Sequence, residues 1–463
     1  MKSFFATLLI ALSIPVSTLF AQKNVTYQSL LQRVAQPNIY TDEIAFPKEN
    51  GEFEFSIIFR MEYDFIPFIK VRPDMDLPDS NPGFFSNIRM GLELFKGTHA
   101  DKSEKEIKKI EPFLRSSWQD TAYAKTFEDT RSRNQYAQGA ISLNLEPGPY
   151  TYKLILTRGE SKAELTSRLV DINLPVYEGS EKGFMMATGD FIDRENEYEA
   201  EILNYGDNIL YGKDFNLMIL HPDSSVTDHY RVEIYKLLPG EEQKPEKDLF
   251  YSTEINEEDK FYGTAFNLQY SISGISMTIN KTEDDGFPLS VVTIPNSRFP
   301  NSGFKIDLKN VENDSTIAST KIGSLWPDIP VSLLNLDVAI NMLKFIVNEE
   351  RIEELKAGNA KEKERKFTEF WKQRDPSPDS EYNELMVEFY DRIDYAYQEF
   401  SSPQNPGFET DQGKSYILYG PPNNIERKLP GNSPAREIWY YDKRTLVFEA
   451  TSGFGDFKLI AQN

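Results

Sequence analysis

Alternating apolar and polar residues mark the first third of the chain as β-sheet. Every second position from 53 to 61 is apolar, namely Phe53, Phe55, Ile57, Phe59 and Met61. Of the residues between them, all but Ile58 are polar. A period of two predicts a strand with one buried face. The turn Pro147-Gly148 then delivers Tyr150 into a second alternating strand, which is a common corner of β-sandwiches. Pro175 ends the last strand, so residues 22–175 predict an immunoglobulin-like β-sandwich.

The middle third has the same pattern without visible repetition of sequence. Two half-buried strands are predicted by the alternating sets Phe215, Leu217, Ile219 and Tyr230, Val232, Ile234. A closing hairpin is predicted across residues 310–315, and Trp326-Pro327 ends the region. We therefore predict a second β-sandwich over residues 176–327.

The pattern changes to a helical period after residue 327. Asn348 is a candidate cap for one helix, and a charged helix starts at Ala360 and stops before Asp375-Pro376. Asp379 or Ser380 is expected to cap another helix, with an apolar stripe of Leu385, Phe389, Ile393, Ala396 and Phe400. Strands are predicted at residues 416–419, 438–441, 446–448 and 457–460. Helices followed by strands predict an α+β module over residues 328–463.

The chain is therefore predicted to be multidomain and mainly β. Two β-sandwiches precede a helical segment and a small antiparallel sheet, which together form the C-terminal α+β module. This build needs no cofactor, and the patterns point to none.

The first 21 residues have the layout of a secretory signal peptide. Lys2 supplies the basic start, residues 4–12 are almost entirely apolar, and Ala21 is a small residue at the expected cleavage site. The alternative is an uncleaved membrane anchor, which Pro15 and the nearby Ser/Thr residues disfavour. We predict export to the periplasm or outer surface of a bacterial envelope, and no transmembrane segment after cleavage.

Composition narrows the possible functions. The net charge is −22 at pH 7, which argues against a nucleic-acid partner because that needs a basic face. The absence of cysteine excludes disulfides and thiolate chemistry, and suits a bacterial envelope. Three histidines leave little material for imidazole metal sites or acid–base catalysis. We expect no metal.

Four motifs follow one another in the last third, at residues 370–378, 389–396, 407–414 and 416–422. In this order they resemble the GWxTD domain family of bacterial exported proteins, over about residues 330–463. One departure is Phe408, which stands where the family has its naming tryptophan and so keeps an aromatic plug without an indole donor. The family has no established activity, so the resemblance implies an exported envelope protein and no reaction. The candidate structural residues of this region are Trp371, Arg374, Asp375, Pro376, Arg392, Gly407, Phe408, Thr410, Asp411, Gly413, Tyr419, Gly420, Pro422 and Trp439.

Asp375 and Asp411 are the candidate catalytic acids. The run Thr410-Asp411-Gln412-Gly413 is typical of a tight turn before the strand at Tyr416, although Asp411 could instead serve as a general base or metal ligand. Arg374-Asp375 at a helix end favours an internal ion pair or cap over an active dyad. Gly420-Pro421-Pro422 indicates a rigid strand exit.

Other polar clusters favour structural interpretations. Glu384, Glu388 and Asp391 share a helix face and could ligate a cation, but equally form a solvated face. An acidic turn is the better interpretation of Asp74, Asp76 and Asp79. The segment from His221 to Ser225, with His229, contains the residue types of a nucleophilic triad, and a loop is favoured there. His99 is expected on an exposed loop.

Aromatic residues near the C-terminus have two possible roles. They could stack on sugars or a partner, or fill the core, and the core is favoured with room for one exposed patch. The residues concerned are Tyr390, Tyr395, Tyr397, Trp439, Tyr440 and Tyr441.

The sequence favours a non-enzymatic interaction or scaffold protein that presents the C-terminal module to an envelope protein partner. A carboxylate-dependent glycan hydrolase using Asp375 and Asp411 is the alternative, and it needs the two acids in one cleft. Glycan binding without turnover is a third possibility.

Overall fold

The structure is a computed structural model with two compact units. The first holds every strand from Ile39 to Leu325, and the second holds helix α1 (Tyr27–Val34) and the chain from Asp328 onward. The residues that the structure describes are 25–34, 39–48, 50–72, 75, 82–159, 163–174, 184–221, 229–238, 241–245, 248–282, 286–402, 405–429, 434–451 and 457–463. The predicted signal peptide, residues 1–21, lies outside them.

Two sheets form the first β-sandwich. Its strands are β1 (Ile39–Pro47), β2 (Phe53–Glu62), β3 (Ile69–Lys70), β4 (Phe84–Lys96), β5 (Leu114–Ala124), β6 (Tyr136–Leu145), β7 (Gly148–Arg158), β8 (Leu165–Thr166) and β9 (Val170–Leu174). A short helix, α2 (Glu104–Ile107), lies between β4 and β5. The inner sheet has the order β1-β2-β6, and the outer sheet is built on β4 and β7. Apolar side chains of both sheets share one core.

The predicted tyrosine corner is present in this sandwich. Tyr150 and Tyr152 are buried, and the Tyr150 hydroxyl donates to the carbonyl of Glu146 at 3.1 Å. A hydroxyl that bonds backbone a few residues upstream fixes the turn into the strand. Gly148 in this turn has φ +146°, which favours glycine.

Two further sheets form the second β-sandwich. Its strands are β10 (Phe184–Thr188), β11 (Ile192–Asp193), β12 (Glu197–Glu201), β13 (Asn208–Leu210), β14 (Phe215–Leu220), β15 (Tyr230–Leu238), β16 (Glu241–Pro245), β17 (Tyr251–Glu254), β18 (Lys260–Ser271), β19 (Gly274–Thr282), β20 (Phe287–Ile294), β21 (Phe304–Asn310) and β22 (Thr316–Leu325). The inner sheet has the order β10-β14-β20-β18-β19-β12-β11. The outer sheet has the order β13-β22-β21-β15-β16, with β17 also paired to β15.

The inner sheets of the two sandwiches pack on each other through a further apolar core. Ile58 of β2 and Met218 of β14 are fully buried in this layer. The prediction that strands 53–61 and 215–219 each bury one face is therefore wrong, because both faces of β2 and β14 are covered. The first unit is a stack of four sheets with three apolar layers between them.

The C-terminal module has helices before a small antiparallel sheet, as predicted. Its helices are α3 (Leu336–Met342), α4 (Glu349–Lys356), α5 (Ala360–Lys372), α6 (Glu384–Phe400) and α7 (Asp411–Tyr419). Its strands are β23 (Asn424–Lys428), β24 (Arg436–Tyr441), β25 (Arg444–Ala450) and β26 (Phe457–Gln462), paired in sequence order. One apolar core joins the helices, and a second joins the sheet to α6 and α7.

The sequence predicts one helix cap correctly and another wrongly. Asn348 caps α4 by accepting from the amide of Arg351, as predicted. The expected cap of α6 at Asp379 or Ser380 is wrong, since Asn383 accepts from the amide of Met386 at 2.8 Å. The α6 stripe is correct except for Leu385, which is 42% exposed.

Helix α1 belongs to the C-terminal module although it precedes the first sandwich in the chain. Tyr27 and Leu30 are buried in the helical core of the module. Both residues fall within the predicted region 22–175, because no sequence pattern links them to the distant helices. The other predicted domain limits, at residues 175 and 327, stay predictions.

Candidate functional site

The residues that resemble the GWxTD motif form a turn that opens helix α7. Residues 407–409 make one turn of 3₁₀-helix, and Thr410 is the N-cap of α7. The Thr410 hydroxyl accepts from the Gly413 amide at 3.0 Å and donates to the Gly407 carbonyl at 2.7 Å. The predicted tight turn followed by a strand at 416–419 is wrong, because this cap starts a helix that continues through Tyr419.

Two motif glycines allow main chains to touch. A Cβ atom on Gly407 would lie 1.8 Å from the carbonyl oxygen of Ala396 in α6. A Cβ atom on Gly413 would lie 1.9 Å from the carbonyl oxygen of Gly407. Any side chain at either position would therefore clash with backbone, so α6, the 3₁₀ turn and α7 pack as one block.

Phe408 fills the centre of this block. It is 5% exposed, and its ring lies 5.3 Å from the ring of Tyr27 and 5.8 Å from that of Tyr397. These distances are typical of favourable aromatic pairs. The aromatic plug at the naming position of the motif thus packs α1 against α6.

Asp411 joins α7 to the sheet. Its Oδ2 atom accepts from the amide of Leu459 in β26 at 3.0 Å. A carboxylate in the first turn of a helix is also favoured by the helix dipole. Both interactions are structural and leave Asp411 engaged with backbone.

Arg374 and Asp375 each form a separate hydrogen bond with the main chain at the end of α5. Arg374 Nη1 donates to the Phe370 carbonyl at 2.7 Å, and its guanidinium lies 4.0 Å from the Phe370 ring centre. Asp375 Oδ1 accepts from the Ser377 amide at 2.9 Å and fixes the turn that contains Pro376. Both side chains therefore bond backbone atoms at this helix end.

Arg392 and Gly420 meet at the end of α7. Arg392 Nη1 donates to the Ile417 carbonyl at 3.3 Å, and its Nη2 also pairs with Glu388. Gly420 has φ +75°, and a Cβ atom there would lie 3.0 Å from Arg392 Nη2. The predicted rigid strand exit at 420–422 is a helix exit, which Pro422 carries toward β23. Tyr419 packs its ring 6.1 Å from that of Tyr441.

A buried carboxylate that the sequence analysis missed lies under the sheet. Glu437 accepts from Gln412 Nε2 at 2.6 Å, from Arg427 Nε at 2.6 Å and from the indole of Trp439 at 3.2 Å. The signal was available, because Glu437 is two residues before Trp439 in β24 and therefore on the same inward face. This network fixes α7 against β24.

The other candidate polar clusters show no reactive arrangement. Glu384, Glu388 and Asp391 are exposed, in agreement with a solvated helix face. Within the described part of the chain, no group of three or more acidic or histidine side chains is placed to hold a metal ion. Asp74, Asp76 and Asp79 lie outside the described residues.

Two of the three histidines are held by structural contacts. His221 is buried, with Nε2 2.6 Å from Ser290 Oγ and its ring 4.9 Å from that of Tyr230. Burial, assisted by Lys260, lowers the pKa of His221 to about 4. The rest of its predicted loop, residues 222–228, lies outside the described residues. His99 is on a loop as predicted but is half-buried and not exposed, and its amide donates to Thr151 and Asp171.

The aromatic residues near the C-terminus mostly fill the core. Tyr390 and Trp439 are fully buried, whereas Tyr397, Tyr440 and Tyr441 are half-buried. Tyr395 is exposed and stacks on Tyr416 with ring centres 4.3 Å apart.

A cavity of about 230 Å³ opens between α5 and the segment that leads into α6. Phe367, Trp371 and Met386 supply apolar lining, and Asp375 and Glu381 supply two carboxylates. Asp411 is not among its lining residues. We name this feature the Trp371 cavity. It is the place where motif residues line a concave surface, and its mixed lining suits a side chain with an apolar stem and a polar end.

The fold and these contacts define a multidomain, β-rich protein with a C-terminal α+β module built around backbone-binding motif residues. Residues 315–456 match the family model of the GWxTD domain, which confirms the resemblance for this segment. The match starts one residue before β22 of the second sandwich, earlier than the predicted limit near residue 330.

Three solved structures show remote, partial similarity to this chain. A red sea bream transglutaminase aligns at 8% identity and a TM-score of 0.17, over 63% of this chain and 31% of that one. The C-terminal domain of the Streptococcus pyogenes antigen I/II-family protein AspA aligns at 8% identity and a TM-score of 0.14, over 62% of this chain and 99% of that one. The C-terminal domain of the Streptococcus agalactiae AgI/II polypeptide BspA aligns at 8% identity and a TM-score of 0.14, over 62% of this chain and 100% of that one. Likeness at this level supports no inference about this protein.

A comparison with curated proteins finds no match. Among the described residues, no helix is long and apolar enough to cross a membrane.

Proposed function

We propose that this protein is an exported, non-enzymatic component of a bacterial cell envelope that binds a protein partner through its C-terminal GWxTD module. The signal-peptide pattern of residues 1–21 and the match at residues 315–456 support export and the family context. Along the chain, the two β-sandwiches precede this module.

The observation that carries the proposal is that five polar motif residues bond main-chain atoms. Thr410, Arg374 and Arg392 donate to carbonyls of residues 407, 370 and 417. Asp375 and Asp411 accept from the amides of residues 377 and 459. Groups used in this way hold a shape, whereas catalysis needs nucleophiles and bases that face a reacting atom. These bonds therefore support a structural role for the motif, as expected of a scaffold or interaction protein.

The Trp371 cavity is the surface on which we place the partner. Its aromatic and thioether lining suits an aliphatic stem, and the carboxylates of Asp375 and Glu381 suit a cationic end. A lysine or arginine side chain has this composition. The net charge of −22 would also steer a basic partner toward this protein.

A pull-down from chemically cross-linked envelope tests the proposal. Thr368 is exposed and lines the cavity, so Thr368→Trp fills the space without touching the core. Glu364→Trp is the matched control, because Glu364 is exposed one turn earlier on the same helix face and does not line the cavity. We expect one partner recovered with the native protein and the control, and lost with Thr368→Trp.

Two results would count against the proposal. Recovery of nothing above background with the native protein would remove the binding role itself. Equal recovery by both tryptophan variants would remove the Trp371 cavity as the binding surface.

The hydrolase alternative has less support, because Asp411 is bonded to Leu459 and lies outside the cavity that Asp375 lines. An assay of glycan cleavage separates the two functions. Turnover that Asp375→Asn abolishes would establish the enzyme, and binding without turnover would establish a glycan receptor.

A further inference from the structure

Lys48, Glu54 and Asn144 meet on one face of the inner sheet of the first sandwich. Lys48 directly follows β1, Glu54 belongs to β2 and Asn144 belongs to β6. Glu54 and Asn144 are directly opposite each other in the register of β2 and β6, so their side chains share a face. Phe46 of β1 is the third residue of this row, and Lys48, two positions after it, points to the same face.

The lysine side chain reaches across β2 to both partners. Its Nζ atom donates to Asn144 Oδ1 at 2.7 Å and lies 3.8 Å from Glu54 Oε2. Strands β1 and β6 flank β2, so at the usual spacing of neighbouring strands their main chains are about 10 Å apart. The contact therefore spans all three strands of this sheet. We call these three residues the Lys48 cluster.

The Lys48 cluster contains the three groups that an amide-forming reaction needs. A lysine amine is a nucleophile once it has lost its proton, and a neighbouring carboxylate can take that proton. The side-chain amide carbon of Asn144 is the electrophile, and Oδ1, which is bonded to this carbon, is already at hydrogen-bond distance from Nζ. Because the reacting groups are held in contact, the reaction avoids the entropic cost of bringing them together.

The exposure of the three side chains is compatible with this chemistry. The Glu54 side chain is 17% exposed and that of Lys48 is 35% exposed, so both are partly shielded from water. Shielding strengthens the electrostatic interaction between a carboxylate and an amine. Asn144 is exposed, which gives a leaving group a path to solvent.

We propose that Lys48 and Asn144 become joined by an intramolecular isopeptide bond, with Glu54 as the general base. Glu54 takes a proton from the Lys48 ammonium, and Nζ then forms a bond to the side-chain carbon of Asn144. The bond between that carbon and Nδ2 breaks. Nζ gives up two protons in all, and both leave with Nδ2 as an ammonium ion. The reaction needs no oxidant and no second substrate.

The bond would join the two outer strands of the inner sheet. It closes a segment in which the linked residues are 96 positions apart, and cross-links that close long segments restrict the unfolded chain most. The chain has no cysteine, so a disulfide cannot provide such a link. An isopeptide bond is a covalent link that this composition allows.

Mass spectrometry of the purified full-length protein tests the proposal. We expect a tryptic digest of the native protein to contain a branched peptide in which Lys48 is joined to Asn144. The chain should also be lighter than its sequence by one ammonia molecule, about 17 Da. Cyclisation of an N-terminal Gln22, exposed by cleavage after Ala21, would remove the same mass, so the branched peptide is the decisive observation.

Three variants separate the roles of the residues. Lys48→Arg keeps the positive charge but has no amine, and it should give no branched peptide. Glu54→Gln keeps the shape without the base, so its linked fraction in freshly purified protein should be smaller by about tenfold or more. Lys108→Arg is the matched control, because Lys108 is exposed and pairs with Glu104, and it should be linked like the native protein.

Two results would overturn the proposal in different parts. Separate peptides for residues 48 and 144 in native protein whose circular dichroism shows that it is folded would remove the isopeptide bond. Equal linked fractions in the native protein and in Glu54→Gln would remove Glu54 as the general base.

Discussion

At the scale of single residues, the motif of this protein is a set of side chains that recognise backbone. Thr410 bonds main-chain atoms on both sides of itself, and Gly407 has no room for a side chain. Such contacts depend on where the chain runs and not on which residues it carries.

Removing the Thr410 hydroxyl should destabilise the module. Thr410→Val keeps the shape but leaves the Gly413 amide and the Gly407 carbonyl without this partner, so we expect a loss of about 2 kcal/mol in unfolding free energy. Urea denaturation followed by fluorescence measures the change. Thr410→Ser restores the hydroxyl and should remain close to the native value; an equal loss in both variants would contradict the capping role.

Buried carboxyl groups in the first unit make its stability depend on pH. Burial raises the pKa of Glu43 from 4.5 to about 7, although the Tyr152 hydroxyl bonds its carboxylate at 2.6 Å. Burial likewise raises the pKa of Asp42 to about 6. The folded state binds these protons more tightly than the unfolded chain, so stability should fall as pH rises from about 4.5 toward 7.

Glu43→Gln removes one of these titrations and keeps an oxygen that can accept from Tyr152. We expect the fall in unfolding free energy between pH 4.5 and 7 to shrink by about 3 kcal/mol at most. Denaturation at a series of pH values measures it. An unchanged slope would show that Glu43 titrates alike in the folded and unfolded states.

At the scale of elements, α7 shows how one cap decides the secondary structure of a run. Three of the four residues 416–419 are aromatic or β-branched, and by propensity these favour a strand. Thr410 and the close approach at Gly413 start a helix instead, and helical spacing sends Tyr416 toward the sheet and Ile417 toward the helices. Tertiary contacts overrode the local preference.

Asp411 should matter for the docking of α7 on the sheet. Asp411→Ala leaves the Leu459 amide without its acceptor, and we expect about 1 kcal/mol less stability and faster hydrogen exchange at that amide. Asp411→Asn keeps an acceptor oxygen and should show near-native exchange. Protection of Leu459 that is the same in all three proteins would contradict this contact.

At the scale of the whole molecule, the first unit is one stack of four sheets. The layer between the inner sheets contains Ile58 and Met218, which are fully buried. Burial at this layer makes the two sandwiches depend on each other, since each inner sheet would expose an apolar face alone.

A cavity in this shared layer should weaken both sandwiches. We expect Met218→Ala to cost about 3 kcal/mol and to reduce hydrogen-exchange protection in β2 as well as in β14. Ile192→Ala, at a position 46% exposed, should change stability little. Loss of protection in β14 alone would indicate that the sandwiches unfold independently.

Local sequence patterns predicted much of the fold. The strands at 53–61, 215–219 and 230–234, the hairpin across 310–315, the cap at Asn348 and the corner at Tyr150 were all predictable, because each depends on residues near one another in the chain. The cap at Asn383 was missed because two earlier cap-forming residues, Asp379 and Ser380, compete for that position. The carboxylate of Glu437 was missed because a charged inward residue is recognised only when its partners are known.

The sequence by itself determined the β character of the first two thirds, the α+β order of the last third and the positions of the motif. Only the tertiary structure decided that both faces of β2 are buried, that α1 completes the distant module, and that the polar motif residues bond main-chain atoms. Periodicity reports which residues leave water along one element. Periodicity does not show which other element packs on those residues. The packing depends on contacts between segments hundreds of residues apart.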